Sequence, residues 1–393
     1  MNLLYMYTYK IYNSVAEQGI DCLKKNGFVE HKNDPDVLVM RSHHLVEDDF
    51  NPSLKCICRA GAGVNHIPLE MATKKGVAVF NTPGGNANAV KELVICGLLL
   101  SSRGIIQGHK FTQSIKDTNH DDVTNLVESN KKNFKGSELK GKTIGIIGLG
   151  SIGSLLAQSV ESMGMKIIGY DPNISIDSAW QLPKDVEKAD DLKYLLSNSD
   201  YISIHVPLID ETKNLIKKDN IKYMKNGSRL INLSRGAIVN NDDVLEALKN
   251  KKISCFVTDF PTPEMIKRSN EFDDVILMPH LGASTKEAEI NCSIMAAEQA
   301  NKFLKDGEII NSVNFPRVRL GRTTENRLVI VHKDQPGVLG RITAEIAAEN
   351  INIADMINKS RNEIAITLID LGEEPSKNLI ENIKEMKRVL SIR

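Results

Sequence analysis

Short apolar runs separated by polar, helix-patterned stretches set the rhythm of the chain. In the first hundred residues DVLVM (36–40), LKCIC (54–58) and VAVFN (77–81) read as buried strands, and the apolar, aromatic start MNLLYMYTYKIYN reads as another. From residue 141 the alternation becomes strict. KTIGIIG (142–148), KIIGYD (166–171), YISIHV (201–206), SRLINLS (228–234), ISCFVTD (253–259) and DVILMPH (274–280) are successive strands separated by segments long enough for crossover helices. Strand and helix in strict alternation predict a parallel, doubly wound sheet. Long helices are predicted at 87–105 and 286–307, where the chain enters and leaves this unit. A linker bearing Pro, Gly and Arg (314–326) precedes RLVIVH (327–332), a helix, NEIAITLID (362–370) and a last helix, a small βαββα-like module. The expected division is 1–98 with 287–315, then 99–286, a linker at 316–326, and 327–393.

Composition narrows the function classes. Fifty Lys plus Arg balance fifty Asp plus Glu, so no global field recruits nucleic acid or an anionic membrane, and any anion is bound locally. Cysteines at 22, 56, 58, 96, 255 and 292 show neither C-x-x-C pairing nor Cys/His metal spacing. Reduced thiols, a cytoplasmic location and no metal are expected. The N-terminus lacks the basic region and cleavage site of a signal peptide, and no apolar run reaches the length of a membrane span.

Gly148-Leu149-Gly150-Ser151-Ile152-Gly153 is a G-x-G-x-x-G that follows a strand and opens an apolar-periodic helix. The first glycine permits the turn, the second lets backbone approach a pyrophosphate, and the third lets helix pack on strand. Asp171, eighteen residues beyond Gly153 (171 − 153), ends the next strand, where a carboxylate accepts from the ribose hydroxyls of NAD and repels a 2′-phosphate. The plainer reading is a turn in which Asp171 is only a cap.

Interconverting a hydroxy acid and a keto acid needs a cation for the carboxylate, an acid/base for the oxygen, and a cofactor that fixes the hydride geometry. Arg235 follows one strand, Glu264 follows Pro261-Thr262-Pro263 after another, and His280 ends the last. Taken singly, each reads as an ordinary surface or structural residue.

In order along the chain, GLGSIG, NLSRGAIVN, DFPTPE and MPHLGAST resemble the signature blocks of the D-2-hydroxyacid dehydrogenases. The resemblance implies two Rossmann-like, doubly wound parallel-sheet domains. Arg235 would orient the substrate, His280 would be the acid/base, and Glu264 would orient His280. Glu264 departs from the family wording, which puts the acid before a proline. Cofactor contacts are implied at Thr82, Gly148, Gly150, Ser151, Ile152, Gly153, Asp171, Val206, Pro207, Leu233, Ser234, Arg235, Asp259, His280 and Gly282. RAGAGVN (59–65) resembles the substrate loop, with Gly61, Ala62, Gly63 and Asn65 as contacts, and Arg41-Ser42 matches a position that meets a substrate phosphate.

HKDQPGVLG (332–340) with AAENINI (347–353) resembles the ACT ligand-binding domain, a small ferredoxin-like α+β fold. Within the family this appendage implies 3-phosphoglycerate as substrate, with homodimers or homotetramers and L-serine as effector near His332, Asp334 and Asn352. A purely dimerising module is the alternative for the appendage. For the enzyme the alternatives are hydroxypyruvate, glyoxylate, lactate or 2-hydroxyglutarate as substrate. The same fold also serves as an NAD-sensing corepressor, which the intact catalytic trio argues against.

Overall fold

A strand whose every side chain is enclosed needs cover on both faces, and Val37–Met40 is such a strand. It belongs to the first sheet, β1 (Thr8–Tyr12), β2 (Val29–Glu30), β3 (Val37–Met40), β4 (Cys56–Arg59) and β5 (Ala78–Phe80), paired in parallel in the order β2-β1-β3-β4-β5. Val37, Val39, Cys56, Cys58, Ala78 and Phe80 point into one core, while Leu38, Met40, Ile57 and Val79 point into another. Helices α1 (Glu17–Lys25) and α2 (Leu69–Lys74) connect these strands. The computed structural model describes residues 6–13 and 15–393, without the side chains of His120 and Asp121. The first five residues of the expected N-terminal strand lie outside the described residues.

The second unit, Ala87–Thr285, opens with α3 (Ala87–Ser102), α4 (Ile105–Ser114) and α5 (His120–Asn130). Its strands are β6 (Thr143–Ile147), β7 (Lys166–Tyr170), β8 (Val186–Lys188), β9 (Tyr201–Ile204), β10 (Ser228–Asn232), β11 (Ile253–Thr258) and β12 (Val275–Leu277). All are parallel, in the order β12-β11-β10-β9-β6-β7-β8, so the winding reverses between β6 and β9. Between the strands run α6 (Ser151–Ser162), α7 (Ile176–Ala179), α8 (Leu192–Asn198), α9 (Lys218–Ile221), α10 (Asn241–Lys249) and α11 (Pro263–Glu271). The division between units falls at Asn86/Ala87 rather than at 98/99. The reason is packing: Val90, Val94 and Leu98 of α3 share a core with Ile144, Ile231 and Val257.

The chain returns to the first unit through α12 (Lys286–Asp306), whose Ala296, Ala297, Ala300 and Phe303 line the core beneath the first sheet. The C-terminal sheet comprises β13 (Asn326–Lys333), β14 (Ile353–Arg361), β15 (Ile364–Leu371) and β16 (Val389–Ile392), antiparallel in the order β14-β15-β13-β16. Helices α13 (Val338–Ala348) and α14 (Lys377–Glu385) accompany it, giving βαββαβ, one strand more than the βαββα pattern expected from the sequence. Leu328, Ile330, Ile369 and Leu371 pack with α13 and α14. The opposite face is also enclosed: Val329, Val331, Ile364, Ile366 and Leu368 join the core that holds Phe80, Phe303 and Phe315. The expected separate C-terminal domain therefore has its own sheet but clusters with the first unit.

An ion pair pins this junction. Arg327 and Asp370 have side chains 1% and 0% exposed. Nε and Nη2 of Arg327 donate to the Asp370 carboxylate at 2.6 and 2.8 Å, and the remaining donors reach the carbonyls of Asp306, Leu320 and Gly321. Thr323 donates to Asp370 through both its N–H and its hydroxyl. Burial alone would raise the Asp370 pKa, but the guanidinium and Thr323 outweigh it and lower the value. Because the folded-state pKa is depressed, this contribution is complete above the ordinary carboxylate value of about 4 and is lost as pH falls through the lowered value. Asp370→Asn should cost about 3–5 kcal/mol in the urea unfolding of the first unit. It should also flatten the acid limb of the stability profile; an unchanged unfolding midpoint would exclude this role.

Candidate active site

The second unit gathers its candidate residues at the carboxyl ends of its strands, where open parallel sheets bind ligands. The glycine loop leaves β6, and Gly150 stands at the N-cap of α6. A Cβ on Gly153 would lie 2.0 Å from the Gly148 carbonyl oxygen, and one on Gly148, whose φ is +90°, would lie 2.6 Å from the His205 carbonyl oxygen. A Cβ on Gly150 meets nothing within 4 Å, which leaves its backbone open to an incoming pyrophosphate. Asp171 accepts from Leu149 N–H at 2.8 Å and from Asn173 N–H at 2.9 Å. It caps its own turn and also ties β7 to the glycine loop, keeping lone pairs for hydroxyl donors. Ser151 and Ile152 begin α6, and Val206 and Pro207 follow β9 across the winding reversal.

Arg235, Asp259 and His280 follow β10, β11 and β12, three neighbouring strands. Asn232 braces the turn that presents Arg235: its side chain donates to the Arg235 carbonyl at 2.9 Å and accepts from Ser234 N–H at 3.2 Å. Ser234 donates through its hydroxyl to the Ile204 carbonyl, and Leu233 is in the core. Asp259 is 1% exposed; its Oδ2 accepts from Gly282 N–H at 2.9 Å, while Oδ1 is enclosed without a hydrogen-bond partner among the described residues. Burial raises its pKa, against the opposing pull of Gly282 N–H, His280 and Arg235. An enclosed, unpartnered acceptor fits an amide donor such as the carboxamide of nicotinamide. His280 is exposed, lies 5.0 Å from the Phe260 ring between centroids, and holds a φ of +49° through bonds from its N–H to the carbonyls of Asp259 and Met278. A non-glycine residue held there is a local strain of the kind found at working sites.

The first unit carries its own cluster at the ends of β3 and β4. The Arg59 Nε donates to the Arg41 carbonyl at 3.0 Å, and the Arg59 guanidinium lies over Gly61, whose φ is +155°. The loop Gly61-Ala62-Gly63 is braced by Asn81, which donates to the Ala62 carbonyl at 2.7 Å, and by Thr82 N–H, which donates to the Gly61 carbonyl. The Thr82 hydroxyl is enclosed and has no hydrogen-bond partner among the described residues, whereas Ser42 and Asn65 are exposed. The Arg41 guanidinium pairs with Glu289 at 2.6 Å.

Residues 98–282 match the family model described as D-isomer specific 2-hydroxyacid dehydrogenase, NAD binding domain, and residues 326–388 match the ACT domain. A D-3-phosphoglycerate dehydrogenase of Haemophilus influenzae is 34% identical over 347 residues, 86% of this chain and 80% of that protein. The chain belongs to the D-2-hydroxyacid dehydrogenases. A D-3-phosphoglycerate dehydrogenase of Methanocaldococcus jannaschii is 36% identical over 358 residues, 88% of this chain and 64% of that protein. The crystal structure of an NAD+-bound 3-phosphoglycerate dehydrogenase of Entamoeba histolytica is 26% identical with a TM-score of 0.62, covering 78% of this chain and 98% of that one. As a member of this family the protein is an NAD-dependent dehydrogenase.

Against the dehydrogenase frame, two expected residues stand apart. Glu264 is the second residue of α11, whose N-cap Thr262 accepts from Met265 N–H at 3.4 Å. It is exposed beside Asp242, Glu246 and Lys267, and among the described residues no hydrogen bond or ion pair joins it to His280. A first-turn acid has its own reason to be there, since it complements the helix dipole. His332 is 2% exposed with both ring nitrogens occupied, by the Lys333 carbonyl and the Thr367 hydroxyl at 2.9 Å each, so it is a packing residue rather than an effector contact. Asp334 and Asn352 are exposed. Three residues outside the expected set stand next to expected ones: in the first unit Arg59, paired in register with Met40 beside Arg41, and in the second Asn232, which braces the turn before Arg235, and His205, next to Val206 and with a pKa that burial lowers to about 4. Arg59 and Asn232 lie inside quoted motifs, and a strand-end cation was a readable signal for Arg59.

Gly153→Ala tests the cofactor loop directly. Relieving a 2.0 Å contact with the Gly148 carbonyl should cost about 1–3 kcal/mol, seen as weaker NADH binding in a fluorescence titration while circular dichroism stays unchanged. Parental affinity in that variant would show that the loop tolerates the displacement and that the close approach is not required.

Proposed function

We propose that the protein oxidises 3-phospho-D-glycerate to 3-phosphohydroxypyruvate with NAD, the first step of L-serine biosynthesis. The observation that carries this reading is the convergence of Arg235, Asp259 and His280 after three adjacent parallel strands, with Asp259 electrostatically coupled to the other two. The shared name of the curated relatives selects the substrate. Bound NAD supplies the hydride acceptor. Arg235 holds the substrate carboxylate in its planar fork, and His280 takes the hydroxyl proton as the carbonyl forms. Asp259, coupled to both, keeps an acceptor for the nicotinamide amide. In the first unit the Gly61–Gly63 loop offers backbone N–H groups to the substrate, and Arg41 meets its phosphate.

The C-terminal domain in this reading binds L-serine as an effector, supported by its ACT match and by the exposed Asp334 and Asn352. The working state is a homodimer or homotetramer.

Steady-state assays of NADH formation test the reading. His280→Gln should lower kcat by about 10²–10⁴-fold with NADH binding retained, and Glu264→Gln should cost far less because no hydrogen bond or ion pair among the described residues joins it to His280. Arg41→Ala should raise KM for 3-phosphoglycerate by roughly tenfold or more, the worth of a charge-assisted hydrogen bond. Full activity in His280→Gln, or equal use of D-glycerate and 3-phosphoglycerate by the parent, would overturn the assignment.

A further inference from the structure

The Arg41 guanidinium that the proposed reading gives to the substrate phosphate is already held by a carboxylate of the same unit. Glu289, in the first turn of α12, lies 2.6 Å from the Arg41 Nη1, with side chains 34% and 42% exposed. Neither partner is locked in the core, so either can be displaced by a stronger competitor from solution. The Arg41 backbone is fixed separately, because its carbonyl accepts from Arg59 and the strand it follows, β3, is paired on both sides by β1 and β4. Glu289 therefore does not build the site; it occupies the charge.

Resting on the reading of Arg41 as the phosphate-binding cation, we propose that Glu289 competes for Arg41 and sets how strongly an incoming distal anion must bind to displace it. A phosphate monoester near neutral pH is close to a dianion with three acceptor oxygens, and its attraction for a guanidinium exceeds that of one carboxylate. A substrate ending in a carboxylate meets an equal competitor already in place and gains little by exchange. A substrate with no distal anion does not compete at all. Glu289 thus lowers the affinity of every substrate with a distal anion and leaves one without it untouched, while the preference among anions comes from Arg41 itself.

The test uses the full-length protein with 3-phosphoglycerate, D-2-hydroxyglutarate and D-glycerate as substrates and inorganic phosphate as competing anion. An exposed ion pair is worth about a two- to fivefold effect. Glu289→Gln should lower the inhibition constant of inorganic phosphate and the KM for 3-phosphoglycerate by that amount. The specificity constant for D-2-hydroxyglutarate should rise by a similar factor or less, and that for D-glycerate should not change. In an Arg41→Ala background the same substitution should have no effect on either quantity. If Glu289→Gln raises KM for 3-phosphoglycerate, or leaves both that KM and the inhibition constant of phosphate unchanged, while Arg41→Ala alone still abolishes the preference over D-glycerate, the competition is refuted and the phosphate reading stands. If Arg41→Ala leaves that preference intact, the phosphate reading itself falls. Glu289→Ala serves as a second variant, and its melting temperature separates lost fold from lost competition.

Discussion

One enclosed guanidinium decides how the first unit closes. Arg327 spends every donor at once, on Asp370 and on three carbonyls from the end of α12 and the linker, while Thr323 completes the carboxylate. Apolar burial between the C-terminal sheet and the core around Phe303 and Phe315 is large but non-directional. It would tolerate the sheet sliding by a residue. The fork of hydrogen bonds would not, because any displacement leaves a charge buried and unpaired. Register at this junction is thus set by polar geometry and adhesion by apolar area.

The second unit depends on a different constraint, the common direction of its strands. Because all seven run parallel, their carboxyl ends and the loops that follow lie at one edge. Residues as far apart in the chain as Gly148 and His280 come to that edge without any loop having to reach for them. The local work is done by small braces. Asn232 fixes the turn before Arg235, and two backbone carbonyls hold the left-handed His280. Arg235 and His280 are left half-buried and exposed, whereas Asp259 and the bracing Asn232 are buried.

Much of this was readable in the residues, because the signals were local. Runs such as KTIGIIG and SRLINLS have a strand period and length, and GLGSIG has steric requirements that only its own turn imposes. What escaped was contact between distant segments. Nothing near Ala87 says that α3 packs on Val257 and so belongs to the second unit. Glu264 was expected beside His280 from motif order, yet the helix that starts at Pro263 gives an acid at that position an adequate local purpose. His332 carries the residue type of a ligand contact, but the strand alternation turns it inward toward Thr367. RLVIVH itself carries a signal of one such contact: it is apolar on both faces, whereas an antiparallel strand with a free face would alternate.

That doubly apolar strand bears on how such a protein can be rearranged. A C-terminal segment with its own topology and its own family match looks like a part that can be detached or exchanged at the linker. Physically it is a wall of the neighbouring core. Cutting near residue 320 would uncover Val331, Ile366 and Leu368 on one piece and Phe303 and Phe315 on the other. A graft from a relative would have to bring its facing residues, and an arginine fork in register, along with the strand order. Portability in sequence and portability in structure part company here, and the surface along which they part runs between α12 and β13.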